Sequence, residues 1–375
     1  MAIVFVAGTT AEFIKIGPVL AELSRRGLPY RVWSTAQHVD GVTQTLKDLD
    51  VREPDRLLVT SGGRRSVARV SQVPGWLANV VWATSGQFRA LKREVGGNGI
   101  VLVHGDTFTT VIGAALGRLL GAEVAHIEAG LRSGSIRSPF PEELNRRIVG
   151  RLATLHFAPT ERERENLEYR TRKGKAEVIV TGANTVVDAL RHARNAEVEV
   201  PELPDPFGLI TLHRFELVQS KSDFEAILLR LREFSKTLPL VMVVGNSERA
   251  KIEEYGLEYI FDDRLTRVDK RPYSDFLGIL MRASMVVTDS GGLQEECAAL
   301  GVPCAVHRER TERHQGLGEN VVLTELKLDK LDEFLANWQD HRRPSTVDNY
   351  HPSVLIADRI AGYAAPQDDR RTQER

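Results

Sequence analysis

IVLVHGDTFTTVIGAALGRLLGAEVAHI, residues 100–127, holds two short apolar runs on either side of one amphipathic stretch. Ile100–His104 and Glu123–Ile127 read as buried strands, and Thr107–Leu120 between them as a helix. A strand, a helix and a second strand in so short a span predict a right-handed βαβ crossover and a parallel sheet. The same alternation extends in both directions. Ile3–Val6 and Tyr30–Ser34 read as strands before it, with helices over Glu12–Arg25 and Trp76–Val95. After it come helices over Glu142–Ala153, Glu161–Tyr169 and Thr185–Ala193, with strands at Leu155–Ala158 and Glu177–Val180. Three prolines and four acids in residues 195–207 mark a linker or boundary loop. The pattern then restarts with strands at Leu209–Leu212, Leu240–Val244, Met285–Thr288 and Pro303–His307. Helices are expected over Asp223–Lys236, Glu248–Glu254, Gly291–Leu300 and Pro352–Tyr363. The fold class is α/β in two parts, with the ligand expected in a cleft between them.

Composition narrows the function. The 375 residues are 42% hydrophobic and 27% charged, which excludes a disordered or fibrous chain. Fifty basic residues against fifty-one acidic ones give a net charge of −1, so nothing in the balance favours a nucleic acid or a membrane surface as partner. Cys297 and Cys304 are the only cysteines, too few for a disulfide framework or a four-thiolate zinc site. No apolar run approaches the ~20 residues of a transmembrane helix. The opening MAIVFVAGTT has neither a basic n-region nor a cleavage signal, and a cytoplasmic location is expected.

Four places in this frame could carry chemistry. Thr288-Asp289-Ser290-Gly291-Gly292 ends a strand and opens a helix, where glycines and free N–H groups admit a phosphate. Glu296, a turn further in, suits ribose hydroxyls, while an ordinary turn capped by Ser290 is the alternative. His104-Gly105-Asp106-Thr107 repeats the arrangement, with Asp106 either an N-cap or a site acid. His126-Ile127-Glu128 leaves an unpaired acid at the next strand end, with no evident structural task. In Ser138–Arg147, Pro139 and Pro141 stiffen the approach to a helix. There Glu142 and Arg146 either pair at i,i+4 or Glu142 points into the cleft. Three acids in one cleft would repel, raising at least one pKa. Last, His213 beside Arg214 at a strand end is either structural or placed to meet a diphosphate. Met281 and Met285 read as core, and Arg64-Arg65 as a solvated loop.

Taken in order, GTTAEFIK, HGDTFTT, HIEAGLRSG, SPFPEELNRR, HFAPTE, VTGANTVVDAL, HRFE and TDSGGLQEE resemble the non-hydrolysing UDP-N-acetylglucosamine 2-epimerase family over nearly the whole chain. The resemblance implies a GT-B fold, two Rossmann-like domains whose parallel sheets face a central cleft. They would be residues 1–183, with a terminal helix 352–375 packing back on them, and a UDP-binding domain, 184–351. It implies an isomerase without a cofactor or metal. UDP would leave C1 by anti elimination as a base removes the C2 proton of UDP-GlcNAc. It would re-add to the 2-acetamidoglucal after protonation on the opposite face, giving UDP-ManNAc. Asp106, Glu128, Glu142 and His213 are the implied catalytic residues. Lys15, Arg146, Arg271, Phe276, Ser290, Gly291, Gly292, Glu296 and Arg313 are the implied UDP-sugar contacts. The implied partners are a UDP-sugar and a second copy of the chain in a homodimer.

The departures from the family pattern are informative. Thr10 and Phe215 stand where the family has arginines, and TERHQGLG follows a different course from the usual TERPE turn. These losses keep a glycosyltransferase, or a hydrolysing epimerase, as the alternative use of the same scaffold. The histidine of the family's regulatory UDP-sugar site is missing around Val244–Ser247. Asp40, near Gln37 and His38, replaces a neutral amide and would repel a diphosphate. Substrate activation is therefore not expected.

Overall fold

The computed structural model describes residues 2–37, 42–48, 51–60, 72–134, 140–195 and 200–364. The chain divides into two α/β units: Met1–Ala189 together with Tyr350–Arg375, and Leu190–Asn349. In the first unit, seven strands form one sheet: β1 (Ile3–Ala7), β2 (Tyr30–Ser34), β3 (Arg56–Leu57), β4 (Ile100–His104), β5 (Glu123–Ile127), β6 (Leu155–Ala158) and β7 (Glu177–Val180). Their order is β3-β2-β1-β4-β5-β6-β7, with every pair parallel. β1 and β4 are buried along their whole length because both sheet faces are covered. Ile3, Phe5, Ile100 and Leu102 meet Phe13, Ile16 and Leu20 of helix Thr10–Arg25, and Ile356, Ala357 and Ile360 of helix Pro352–Ile360 join that core. Val4, Val6, Val101 and Val103 point the other way, onto Trp76, Val80 and Ala114 of helices Val73–Val95 and Phe108–Leu120.

The second unit has six parallel strands: β8 (Gly208–Thr211), β9 (Leu240–Val244), β10 (Leu265–Asp269), β11 (Met285–Thr288), β12 (Cys304–Val306) and β13 (Val321–Leu323). They run β10-β9-β8-β11-β12-β13. Ile210, Phe224, Leu228, Met242, Met285 and Phe334 are in its core. Met281, expected beside them, is only half-buried.

Both sheets reverse strand order once, between β1 and β4 and between β8 and β11. A crevice opens at the carboxyl ends of the strands at such a switch point. Gly8-Thr9, Gly105-Asp106, Leu212-His213 and Asp289-Ser290 directly follow those four strands.

Element boundaries shift by one to three residues in several places, and one helix divides in two. The helix expected over Glu161–Tyr169 is two short ones, Glu161–Glu165 and Glu168–Thr171. Leu167 between them is fully buried, whereas the charged ERERE run has no apolar stripe to sustain a longer helix. The strand expected at Leu209–Leu212 starts and ends one residue earlier. His38, Asp40, Arg64, Arg65, Ser138, Pro139 and the polar tail lie outside the described residues.

The first sheet also sets an acid limit. His126 and His156 are partners across β5 and β6, with their rings edge to face at 6.2 Å. His126 Nε2 lies 2.7 Å from the Gly105 carbonyl and must donate to it, leaving Nδ1 bare; neither His156 nitrogen has a partner among the described residues. Burial therefore holds both rings neutral, His126 down to about 4 and His156 to about 3. A histidine whose folded pKa is depressed stabilises the fold above its unfolded pKa. That stability is lost as pH falls toward the folded value. Each ring should cost about 2 kcal/mol of stability between about pH 7 and pH 5. Melting temperatures across that range should fall less steeply in His156→Leu; an unchanged slope would remove His156 as a cause.

Candidate active site

The loops after β4 and β5 place the acids. Gly105 adopts φ +68° to turn the chain. Thr107, not Asp106, caps helix Phe108–Leu120, its hydroxyl accepting from the Thr110 N–H at 3.2 Å. Asp106 is thereby released from the capping role, and its Oδ2 accepts from Arg146 Nη2 at 2.5 Å. Asn145 fixes the same residue by donating to its carbonyl at 2.8 Å. Arg146 turns to Asp106 and, at 3.6 Å, to Glu143. Glu142 opens helix Glu142–Leu152, one turn before Arg146 on the same face.

Glu128 has φ +63°, the left-handed region that a non-glycine residue enters at a cost and that is common at functional sites. Gly130 follows at φ +92°, where a Cβ would lie 2.2 Å from the Glu163 carbonyl oxygen. Glu128 is not the unpaired acid expected from sequence. Its Oε2 accepts from Lys15 Nζ and Asn184 Nδ2, and His104 Nε2 lies at 3.6 Å. A buried carboxylate needs such partners, so Lys15, expected at the UDP, neutralises Glu128. Asp106 and Glu128 each have a cation of their own, which offsets the mutual repulsion expected of the acids.

Glu12, read from sequence only as part of the opening motif, ties this end of the sheet together. Its buried carboxylate accepts from the Gly8 and Thr9 N–H groups at 2.8 Å and from Thr107 Oγ1 at 2.7 Å. The loops after β1 and β4 are thereby joined beside Asp106. Burial raises the Glu12 pKa against those three groups and the Thr9 hydroxyl, which also donates to it, at 3.0 Å.

In the second unit β8 and β11 run side by side, with Thr211 and Thr288 hydroxyls 2.6 Å apart. Asp289 follows β11 and is buried. Its Oδ2 accepts from the His213 and Arg214 N–H groups, each at 2.8 Å, and its Oδ1 lies 3.2 Å from His213 Nδ1. Burial pushes the Asp289 carboxyl up, opposed by His213. The carboxylate orients an imidazole that is 54% exposed, turning its Nε2 outward. Phe215, two residues on, is exposed.

Ser290 is the N-cap of helix Gly291–Leu300, as the structural reading expected, with its hydroxyl 3.4 Å from the Leu293 nitrogen. A phosphate site is compatible with that cap, because the next residues approach cations. A Cβ on Gly291 would lie 3.0 Å from Arg308 Nη1 and 3.4 Å from Arg313 Nη1. One on Gly292 would meet only Ser290 Oγ, at 3.7 Å, so the space there is not filled by this unit. Arg313 is held by Glu295 at 3.0 Å and Glu312 at 3.2 Å. Glu296 accepts from the Tyr273 hydroxyl at 2.7 Å, and burial with Glu296 nearby pushes that hydroxyl's pKa well up. Phe276 lies half-buried in the first turn of helix Tyr273–Arg282, and the Arg271 Nε beside that helix has no hydrogen-bond partner among the described residues.

Arg308 escaped the sequence reading. It is buried, and among the described residues its Nη1 has no hydrogen-bond partner and its one ion pair is a 3.4 Å contact with Glu312. Burial lowers its pKa. The available signal was its position two residues past β12, the strand beside β11.

Two all-parallel units, with acids at one switch point and guanidiniums around a helix N-terminus at the other, define the GT-B-like class of two-domain α/β fold. Residues 21–351 match the model of the UDP-N-acetylglucosamine 2-epimerase family, and the chain belongs to that family. It is 33% identical over 341 residues to the UDP-N-acetylglucosamine 2-epimerase of Yersinia pestis, covering 86% of each chain. The Bacillus subtilis enzyme of the same name is 34% identical over 325 residues, covering 84% of this chain and 81% of that one. Among solved structures, the Neisseria meningitidis UDP-GlcNAc 2-epimerase bound to UDP-GlcNAc superposes with a TM-score of 0.77 at 28% identity, over 96% of this chain and all of that one. The S. aureus MnaA–UDP structure gives 0.76 at 27% identity, over 96% of each.

Proposed function

We propose that the protein interconverts UDP-GlcNAc and UDP-ManNAc by eliminating and re-adding UDP, with removal and return of the C2 proton. The observation that carries this reading is the grouping of Asp106–Arg146 and Glu128–Lys15 at the carboxyl ends of β4 and β5. Proton transfer at an unactivated C–H needs carboxylates fixed in place, and both are. Glu142 is the third acid assigned to proton transfer. His213, Arg308 and Arg313 are assigned to the leaving diphosphate, whose growing charge they stabilise. Ser290, Gly291 and Gly292 supply N–H groups to the same anion, Glu296 binds ribose and Phe276 packs by uracil. The chemistry calls on no redox cofactor.

The second reading, transfer or hydrolysis, rests on Phe215 and Thr10 replacing cations that would retain UDP. Product analysis with UDP-GlcNAc alone decides between them. Epimerisation gives two UDP-sugars, and hydrolysis gives free ManNAc and UDP. A transferase stays nearly silent until given an acceptor. Either of the latter results overturns the epimerase reading.

Two further properties belong to this proposal. The chain forms a homodimer through its first unit, where helix Val73–Val95 exposes Leu77, Val81 and Trp82; light scattering showing monomer alone at micromolar concentration would contradict it. No second UDP-GlcNAc is needed as activator. Gly245 and Asn246, near the expected regulatory histidine, instead start helix Asn246–Tyr255 with Glu248 accepting from the Gly245 N–H at 2.8 Å. Initial rates should be hyperbolic in UDP-GlcNAc, and a Hill coefficient clearly above one would show a regulatory site intact.

A further inference from the structure

The first unit holds a second cationic site that the proposed reaction does not use. A cavity of 280 Å³ is lined by Arg132, Arg147, Arg151, Asn166 and Tyr169. Arg132 comes from the loop after β5, Arg147 and Arg151 from helix Glu142–Leu152, Asn166 from the break between the two short helices beyond β6, and Tyr169 from the second of those helices. Arg147 lies about 100° round its helix from Arg146, so this wall faces away from the side that meets Asp106.

The charges in the cavity do not balance. Arg147 pairs with the buried Glu143 at 2.9 Å. Among the described residues, neither Arg132 nor Arg151 has a carboxylate within ion-pair distance. Arg132 Nη1 donates to the Leu131 carbonyl at 2.7 Å and Arg151 Nη1 to the Arg147 carbonyl at 3.0 Å. Glu168, next to Tyr169 in sequence, does not line the cavity and is paired with Arg172 at 2.9 Å. The Tyr169 hydroxyl has no protein partner among the described residues, and Asn166 donates to the Gly130 carbonyl at 2.9 Å. Arg132 is half-buried, and desolvation lowers its pKa against the attraction of Glu143. Clustering guanidiniums in a partly desolvated hollow is unfavourable unless an anion completes it. Counting Glu143 against Arg147 leaves two uncompensated forks, the complement of a dianion.

We propose that this cavity binds a phosphoryl dianion, as a phosphate monoester or diphosphate group of a small molecule, at a site separate from the one that handles UDP. The bound anion ties the Arg132 loop to helix Glu142–Leu152. Glu143 already holds that loop through the Ser133 N–H at 3.0 Å, and the same helix carries Arg146 to Asp106. Occupancy is therefore coupled to the acid end of the first sheet.

The test is calorimetric titration of inorganic phosphate, pyrophosphate and glucose 6-phosphate into protein saturated with UDP. UDP's own effect on the melting temperature is read first, so failure of the UDP assignment shows separately; the titrations are then run on the free protein. Wild type should bind at least one of the three. Affinity should fall at least ~10-fold in Arg151→Ser and in Arg132→Gln, and weaken as salt rises. Arg151 is exposed, so its replacement leaves the fold intact even if Arg132→Gln does not. No binding to wild type, or equal affinity in Arg151→Ser, overturns the proposal. The probe that binds most tightly identifies the source of the phosphoryl group.

Discussion

Asp106→Asn and Glu142→Gln each lower turnover of UDP-GlcNAc by about 10²-fold or more, with UDP affinity near that of wild type. Both substitutions keep size and hydrogen-bonding shape and remove only the titrating oxygen. Asn145 binds the backbone carbonyl of residue 106, so that anchor survives the change. Arg146 loses its shortest ion pair in Asp106→Asn but still has Glu143 at 3.6 Å, which limits the loss of stability. Glu142 is partly exposed at a helix start, where losing its charge costs about 0.5 kcal/mol. A large fall in turnover with a small fall in melting temperature therefore points to chemistry. Near-normal turnover in either variant removes that residue from proton transfer.

Arg308→Met is expected to weaken UDP binding by about 10- to 100-fold, the worth of a charge-assisted hydrogen bond to an anion. Methionine is unbranched and adaptable, and fills much of the buried volume. The buried Nη1 beside Gly291, without a hydrogen-bond partner among the described residues, is what the substitution removes. Isothermal titration with UDP reads the effect directly. Unchanged UDP affinity would assign Arg308 to the fold of its unit and not to the ligand.

How much of this was legible in the sequence depends on where each element lies in its sheet. β4 is central and covered on both faces by helices, so IVLV reads as an apolar run, and its neighbour β5 keeps Val124, Ala125 and Ile127 buried. β10, at an edge, alternates in burial over Leu265–Asp269 and contains Arg267 and Asp269; nothing in it marks a buried strand. The two-residue β3 and three-residue β13 are edges too, and are too short for any periodicity to show, even though β13 is Val-Val-Leu. Helices Tyr273–Arg282 and Leu328–Asn337 also went unread. The site followed a similar rule. Asp106, Glu128, His213 and Ser290 announce themselves by following strands. Their partners do not, because Lys15 and Glu128 are 113 residues apart and His213 and Asp289 are 76. No local spacing encodes such a pair. The same holds for Arg308, whose importance comes from the neighbouring strand and not from its own segment.

The central claim is that the C2 proton leaves and returns. Running the reaction with UDP-GlcNAc in D2O and following C2 by proton NMR tests it most directly. The account predicts that UDP-ManNAc appears with deuterium at C2 from the first turnover, and that recovered UDP-GlcNAc becomes labelled as equilibrium is reached. UDP-ManNAc that keeps its original C2 hydrogen would contradict it.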